Sequence, residues 1–169
     1  MEIYLDNSAT TPVSPEVQEV LSETVKQYYA NPSSLHSLGG QAEKLLSKAR
    51  EVIAQALEVL PGEIVFTSGG TESNNLAIKG IAFQYQARGK HLVTTQIEHS
   101  AVYDVFKALE RDFGFEVTYL PVDRHGVVRV EDVQRALRDD TLLVSVMHVN
   151  NELGSVQPIQ EIGRILKNR

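Results

Sequence analysis

The chain contains no cysteine. Its 169 residues therefore hold no disulfide framework, no thiolate metal site and no cysteine nucleophile. That fits a reducing compartment. Basic residues are also short: 16 Lys and Arg face 22 Asp and Glu, a formal net charge of -6. Such a balance disfavours non-specific binding to nucleic acid or anionic lipid. No apolar run reaches membrane-spanning length. The opening "MEIYLDNSATTP" lacks the basic flank and apolar core of a signal peptide. The expectation is a cytoplasmic protein with no nucleic-acid and no membrane partner. The five histidines form no HExxH pair, so no metal is expected. Three of them converging in space would be the metal-binding alternative. Internal repeats, low-complexity tracts and linkers are missing too.

What is present is ordinary for a globular chain: 42% apolar and 22% charged residues. The length suggests one domain with enough apolar surface to form a core. Ser14 and Pro15 read as the cap and first position of a helix carrying Val17, Val20, Leu21 and Val25 at helical spacing. A polar loop, "ANPSSLHSLGG", precedes a second helix over 41–58, which Pro61 and Gly62 end. Beyond it the pattern alternates. Strand-like runs are 63–66, 91–95, 116–120 and 142–147, with a short candidate at 3–5. Helical runs are 71–87, 100–112, 130–138 and 159–168. The strands are apolar on both faces, "LLVSVM" most clearly. This predicts an α/β fold: about five strands in a mostly parallel sheet, helices on both faces, and at least one unpaired edge.

Ligands of such sheets bind beyond the carboxyl ends of the strands. "TSGGTES", residues 67–73, falls at such an end. Gly69 and Gly70 allow close backbone approach, and the following helix offers free N–H groups and a positive dipole end. Together they form an anion site, most often for phosphate. The plainer reading is a strand-to-helix turn capped by Ser68 or Thr71. It is not a Walker loop, because no Gly-Lys-Ser/Thr follows, and the third glycine of the dinucleotide fingerprint is missing.

Five motifs in order, "YLDNSATTP", "NPSSLHSLG", "FTSGGTESNNLAIKG", "TTQIEHSAV" and "VSVMHVNNELGSVQPI", decide between these readings. The set resembles the N-terminal part of the cysteine desulfurases of the NifS/IscS type, fold-type I enzymes that use pyridoxal 5′-phosphate. The resemblance implies that Gly70 and Thr71 cradle the cofactor phosphate. It implies that His99 stacks on the pyridine ring and relays protons, and that Asn150 bonds the ring hydroxyl. Asn7, Ser8, Ala9, Thr10 and Thr11 match the segment lining the active-site mouth. The stretch from Asn31 to His36 matches a loop near the substrate and the dimer interface. On the residues alone, His99 reads equally as a surface histidine and Asn150 as a strand-capping turn. His36, His125 and His148 are left open, and "DRHG" at 123–126 reads as a plain turn.

The resemblance also marks what the chain lacks. Family members are more than twice as long. They continue into an Asp and a Gln that hold the ring, the Schiff-base lysine, and a small domain with the sulfur-accepting cysteine. None of the seven lysines lies in the matching motif; Lys79, over two turns beyond the phosphate end, reads as pointing elsewhere. The chain is thus expected to be the N-terminal segment and part of the large domain, 1–169, and inactive alone. The implied reaction takes L-cysteine to L-alanine and passes persulfide sulfur to acceptor proteins for iron–sulfur clusters or thiolation. The implied partners are a C-terminal half in a second chain (or one lost by truncation) and a second copy in a homodimer. Alternatives are a selenocysteine lyase or another class-V enzyme, or a non-catalytic scaffold.

Overall fold

A computed structural model describes residues 3–167. The chain divides into two compact units, one ending at Phe66 and the other beginning at Thr67.

The first unit holds two helices, α1 (Pro15–Gln27) and α2 (Ser37–Leu57). Ser14 caps α1, its hydroxyl accepting from Val17 N at 3.4 Å, with Pro15 following as the spacing predicts. The stripe Val17, Val20, Leu21 and Val25 forms as expected, yet α1 buries no residue. Helix α2 begins four residues before the expected Gln41. His36 caps it, Nδ1 accepting from Gly39 N at 3.2 Å. A glycine is needed there, because a Cβ at Gly39 would lie 2.3 Å from the Ser34 carbonyl oxygen. The helix ends at Glu58, which takes the left-handed conformation (φ 56°), before Pro61 and Gly62 are reached.

The strands expected at 3–5 and 63–66 do not form. Residues 3–5 have no ladder partner among the described residues. Pro61–Glu63 is a 3-10 turn, and the extended segment after it is held by α2 instead of by a strand. The Arg50 guanidinium donates to the Ile64 carbonyl and lies 4.8 Å from the Phe66 ring centroid. A carbonyl already bonded to arginine has one fewer site for a ladder.

The second unit is the α/β layer. Its sheet has three parallel strands in the order β2–β1–β3: β1 is His91–Thr95, β2 Glu116–Leu120 and β3 Thr141–Val144. Three strands rather than five form among the described residues. The bounds of β1 and β2 match the sequence reading, whereas β3 stops before Met147. The helices are α3 (Gly70–Tyr85), α4 (Ser100–Phe113), α5 (Val130–Ala136) and α6 (Ile159–Lys167). The expected last residue of α6, Asn168, lies outside the described residues. No described helix is long and apolar enough to cross a membrane.

Helices cover both faces, and β1 shows why. All five of its residues are buried, and successive side chains point to opposite faces. Leu92 joins Ile78, Ala82, Val105, Phe106 and Leu109 under α3 and α4. Val93 joins Leu120, Val133 and Ile162 under α5 and α6. At the amino end of the sheet, buried His91 bonds both neighbours at once: Nδ1 meets Thr141 Oγ1 at 2.7 Å and Nε2 meets Thr118 Oγ1 at 2.8 Å. Burial holds this imidazole's pKa below the ordinary histidine value, with the Arg138 charge acting in the same sense.

Candidate active site at the carboxyl ends of β1 and β3

The start of α3 is open. Gly69 is its N-cap and makes no side-chain capping bond, so neither Ser68 nor Thr71 caps it. The first bond into the helix is Ser73 N to Gly69 O at 3.0 Å. The N–H groups of Gly70, Thr71 and Glu72 have no acceptor among the described residues. A Cβ placed on Gly69 or Gly70 would meet nothing within 4 Å. Glu72 turns away from the opening. Its carboxylate accepts from Ser68 N at 2.6 Å and Ser68 Oγ at 2.7 Å. The serine hydroxyl, then its N–H, hold this carboxyl below the usual carboxylate range.

The start of α4 is filled. His99, exposed at the end of β1, is its N-cap, and Nδ1 accepts from Ala101 N at 3.0 Å. In the neutral ring this places the proton on Nε2. The two helix starts share one depression of about 240 Å³. Thr71, Asn75 and Lys79 line one wall; Ser100, Ala101 and Asp104 are among the residues of the other. Lys79 therefore faces the same depression as Thr71, contrary to the sequence expectation. It lies about 12 Å further along the helix axis, by eight residues of rise.

The loop after β3 closes on the loop after β1. Asn150 is nearly buried, and its amide works within the protein. Oδ1 accepts from Glu152 N at 2.9 Å and Leu153 N at 2.7 Å, so the turn reading describes the asparagine's fold. Nδ2 donates to Ile97 O at 3.0 Å; its second contact is Met147 Sδ at 3.4 Å, a weak acceptor. The second N–H of Asn150 thus has only a weak acceptor, the Met147 sulfur. From below, "DRHG" does more than turn. Gly126 (φ 73°) sits so close that a Cβ would lie 2.9 Å from Leu153 Cδ1. Buried Gln157 ties the two segments, accepting from Val128 N at 2.9 Å and donating to Gly126 O at 2.7 Å.

The structure thus gathers Gly70, Thr71, His99 and Asn150 around the strand ends. Asn7, Ser8, Ala9, Thr10, Thr11, Asn31 and His36 belong to the first unit. There Ala9 N and Thr10 N turn back onto Asp6 O, at 3.2 and 3.4 Å, and Asn31 Oδ1 accepts from Ser33 N at 2.9 Å. His36 is a helix cap, and His125 accepts from Arg124 Nε at 3.0 Å. No three His, Asp or Glu side chains among the described residues are arranged to hold a metal ion. Sequence reasoning missed Glu72, His91, Glu98 and Gln157. Glu72 had a signal, an acid in the first helical turn; the other three are recognised only through partners distant in sequence.

The aminotransferase class-V profile matches residues 3–169. The chain belongs to the class-V aminotransferase family. It is 51% identical over 166 residues to a cysteine desulfurase IscS of Dictyoglomus turgidum, covering 98% of this chain and 42% of that protein. It is 52% identical over 164 residues to a NifS-type homologue of Lactobacillus delbrueckii subsp. bulgaricus, covering 97% and 42%. Among solved structures, a NifS-like protein superposes with a TM-score of 0.95 at 43% identity, over 99% of this chain and 46% of that one. A structure described as SspA in complex with cysteine gives 0.89 at 43% identity, over 95% and 46%. The chain thus spans less than half the length of these relatives.

The class-V family uses pyridoxal phosphate, and the residues at the strand ends fit its phosphate and ring. Three unfilled N–H groups, the Thr71 hydroxyl and open space before Gly69 and Gly70 suit a phosphate at a helix start. The exposed imidazole of His99, the cap of α4, offers a flat face and a free Nε2.

Proposed function

We propose that this chain is the N-terminal portion of a cysteine desulfurase, an enzyme that converts L-cysteine and a thiol to L-alanine and a persulfide. The observation that carries the reading is the open start of α3, three free N–H groups and Thr71, which shares a depression with the first turn of α4 that His99 caps. The names of its relatives support the reaction, and the cysteine bound to the SspA neighbour supports the substrate. When bound, pyridoxal phosphate supplies an electron sink for the substrate's Cα. The chain's own residues bind and orient. The N–H groups of Gly70 and Thr71 and the Thr71 hydroxyl hold the phosphate. His99 would stack on the ring, with Nε2 the atom that would hold and release a proton. A histidine suits this because it combines a flat aromatic face with a ring nitrogen that can accept and donate a proton. Asn150 would exchange its weak bond to Met147 Sδ for one from Nδ2 to the ring hydroxyl.

The sulfur-accepting thiolate and the lysine that holds the cofactor come from outside these 169 residues. We place them in a C-terminal half, on a second polypeptide or on a longer form of this chain, within a cytoplasmic homodimer. Sulfur then passes to acceptor proteins for iron–sulfur clusters or thiolation. Two experiments test the proposal. Desulfurase activity should copurify with a second polypeptide bound to this chain, or with a longer form of it; activity that never accompanies the chain would end the reading. In the complete enzyme Thr71→Val should keep the fold and weaken cofactor retention by roughly tenfold or more, since a hydrogen bond to a charged group contributes ~1.5–3 kcal/mol. Unchanged retention would reduce Thr71 to a plain first-turn residue.

A further inference from the structure

Between β1 and α4 only four residues intervene, and the third is Glu98. Its half-buried carboxylate uses one oxygen twice. Oε1 accepts from Thr95 Oγ1 at 2.9 Å, at the end of its own strand, and from Met147 N at 2.8 Å, in the loop after β3. The residue before it is tied as well, Ile97 O accepting from Asn150 Nδ2 at 3.0 Å and Ile97 N donating to Thr95 Oγ1 at 3.4 Å. The two strand-end loops are therefore cross-linked by two bonds, both donated from the loop after β3, one by its backbone and one by a side chain. His99 comes next. Its backbone is fixed on one side by this cross-link and on the other by the first turn of α4, where His99 O accepts from Val102 N at 2.8 Å and Tyr103 N at 2.9 Å.

We propose that Glu98 is a positioning residue: by locking the β1–α4 loop to the loop after β3, it sets where the His99 ring stands. The weight this carries for catalysis rests on the reading of His99 given above. The bonds require an acceptor at Oε1 and no charge. Burial in fact raises the Glu98 carboxyl's pKa above the ordinary value, against the two bonds that lower it. A glutamine, which presents the same oxygen, should therefore stand in for the glutamate. An alanine should not.

The test uses the complete enzyme with its histidine side chains labelled with nitrogen-15. In the parent, His99 should show the neutral form protonated at Nε2, because Nδ1 is an acceptor. Glu98→Gln should keep that signature and keep turnover. Glu98→Ala should populate both tautomers and lower kcat by roughly ten- to a hundredfold with little change in KM, the expected cost of a misplaced group. If Glu98→Ala does not fold, Glu98→Asp, whose oxygen falls one methylene short, asks the same question. Unchanged His99 resonances in Glu98→Ala or Glu98→Asp would overturn the proposal. So would a Glu98→Gln enzyme as impaired as Glu98→Ala, because the charge and not the bond would then matter. If the reading of His99 is wrong instead, the resonances still move with Glu98 while kcat stays constant.

Discussion

Helices α3 and α4 start on the walls of one depression, and they start differently. Both follow short loops, and both would ordinarily leave N–H groups without partners. At α4 the protein fills one such group with a side chain, the imidazole of His99 on Ala101 N. At α3 it places Gly69 and Gly70 where a capping side chain would stand, and turns Glu72 back onto Ser68. The filled start aims a ring; the open one keeps its dipole and its donors for something else. A helix start can thus serve either to orient a side chain or to receive an anion, and the cap residue decides which.

That contrast can be broken at either helix. The largest effect is expected at His99. His99→Asn supplies another good cap, so α4 should keep its stability, yet the complete enzyme should lose turnover by roughly a hundredfold or more, the scale of general acid–base catalysis. His99→Phe should lose the cap as well, costing about 1 kcal/mol in a denaturant melt. If His99→Asn turns over like the parent, the ring at α4 is only a cap. Next comes Gly69→Asp, which makes α3 resemble α4 by adding a cap and a negative charge. Its backbone is extended and its Cβ position is clear. Helix stability should rise by a few tenths of a kcal/mol, while cofactor retention falls by about tenfold or more. Retention that survives the aspartate would mean that the phosphate does not sit there.

The smallest effect concerns Glu72. Ser68 holds its carboxyl below the ordinary range, so its contribution to stability is present above the unfolded pKa and lost as pH falls through the folded one. Melting temperatures of the parent and Glu72→Gln should therefore differ above about pH 5 and converge in acid. A constant difference across that range would show that the charge at this start is not used.

The layered part of the fold was legible because its signals are local. β1 and β2 are apolar runs with Gly, Lys and Pro at their borders, and α4 shows both a stripe and a closing glycine, Gly114 at φ 67°. Failures occurred where a distant group decides. Residues 63–66 have a strand's composition, but Arg50 takes the Ile64 carbonyl. Helix α2 begins early because an imidazole caps it and because Gly39, a poor helix former, is where Ser34 comes close. The candidate site divides in the same way. Gly70 and Thr71 could be argued from glycines between a strand-like run and a helix. His99 and Asn150 stood out through motif resemblance. That the Asn150 amide also closes a turn and holds Ile97 depends on partners up to 53 positions away, and no spacing reveals such bonds. Glu98 was passed over for that reason too.

The clamp at His91 bears on how the chain finds its alignment. β1 and β2 are separated by α4, and β1 and β3 by α4, β2 and α5, so neighbouring strands must meet across a long stretch of chain. A slip by one residue would turn every side chain of a strand to the wrong layer. A ring bonded to Thr118 on one flank and Thr141 on the other ties all three strands together, near the end where the pairing of β1 with β3 is also irregular. Misaligned assemblies would leave the buried imidazole without these partners, so they are discouraged by more than lost apolar contact. The fold thereby carries its own proofreading at one end of the sheet, leaving the other end free to be shaped by the loops that bind.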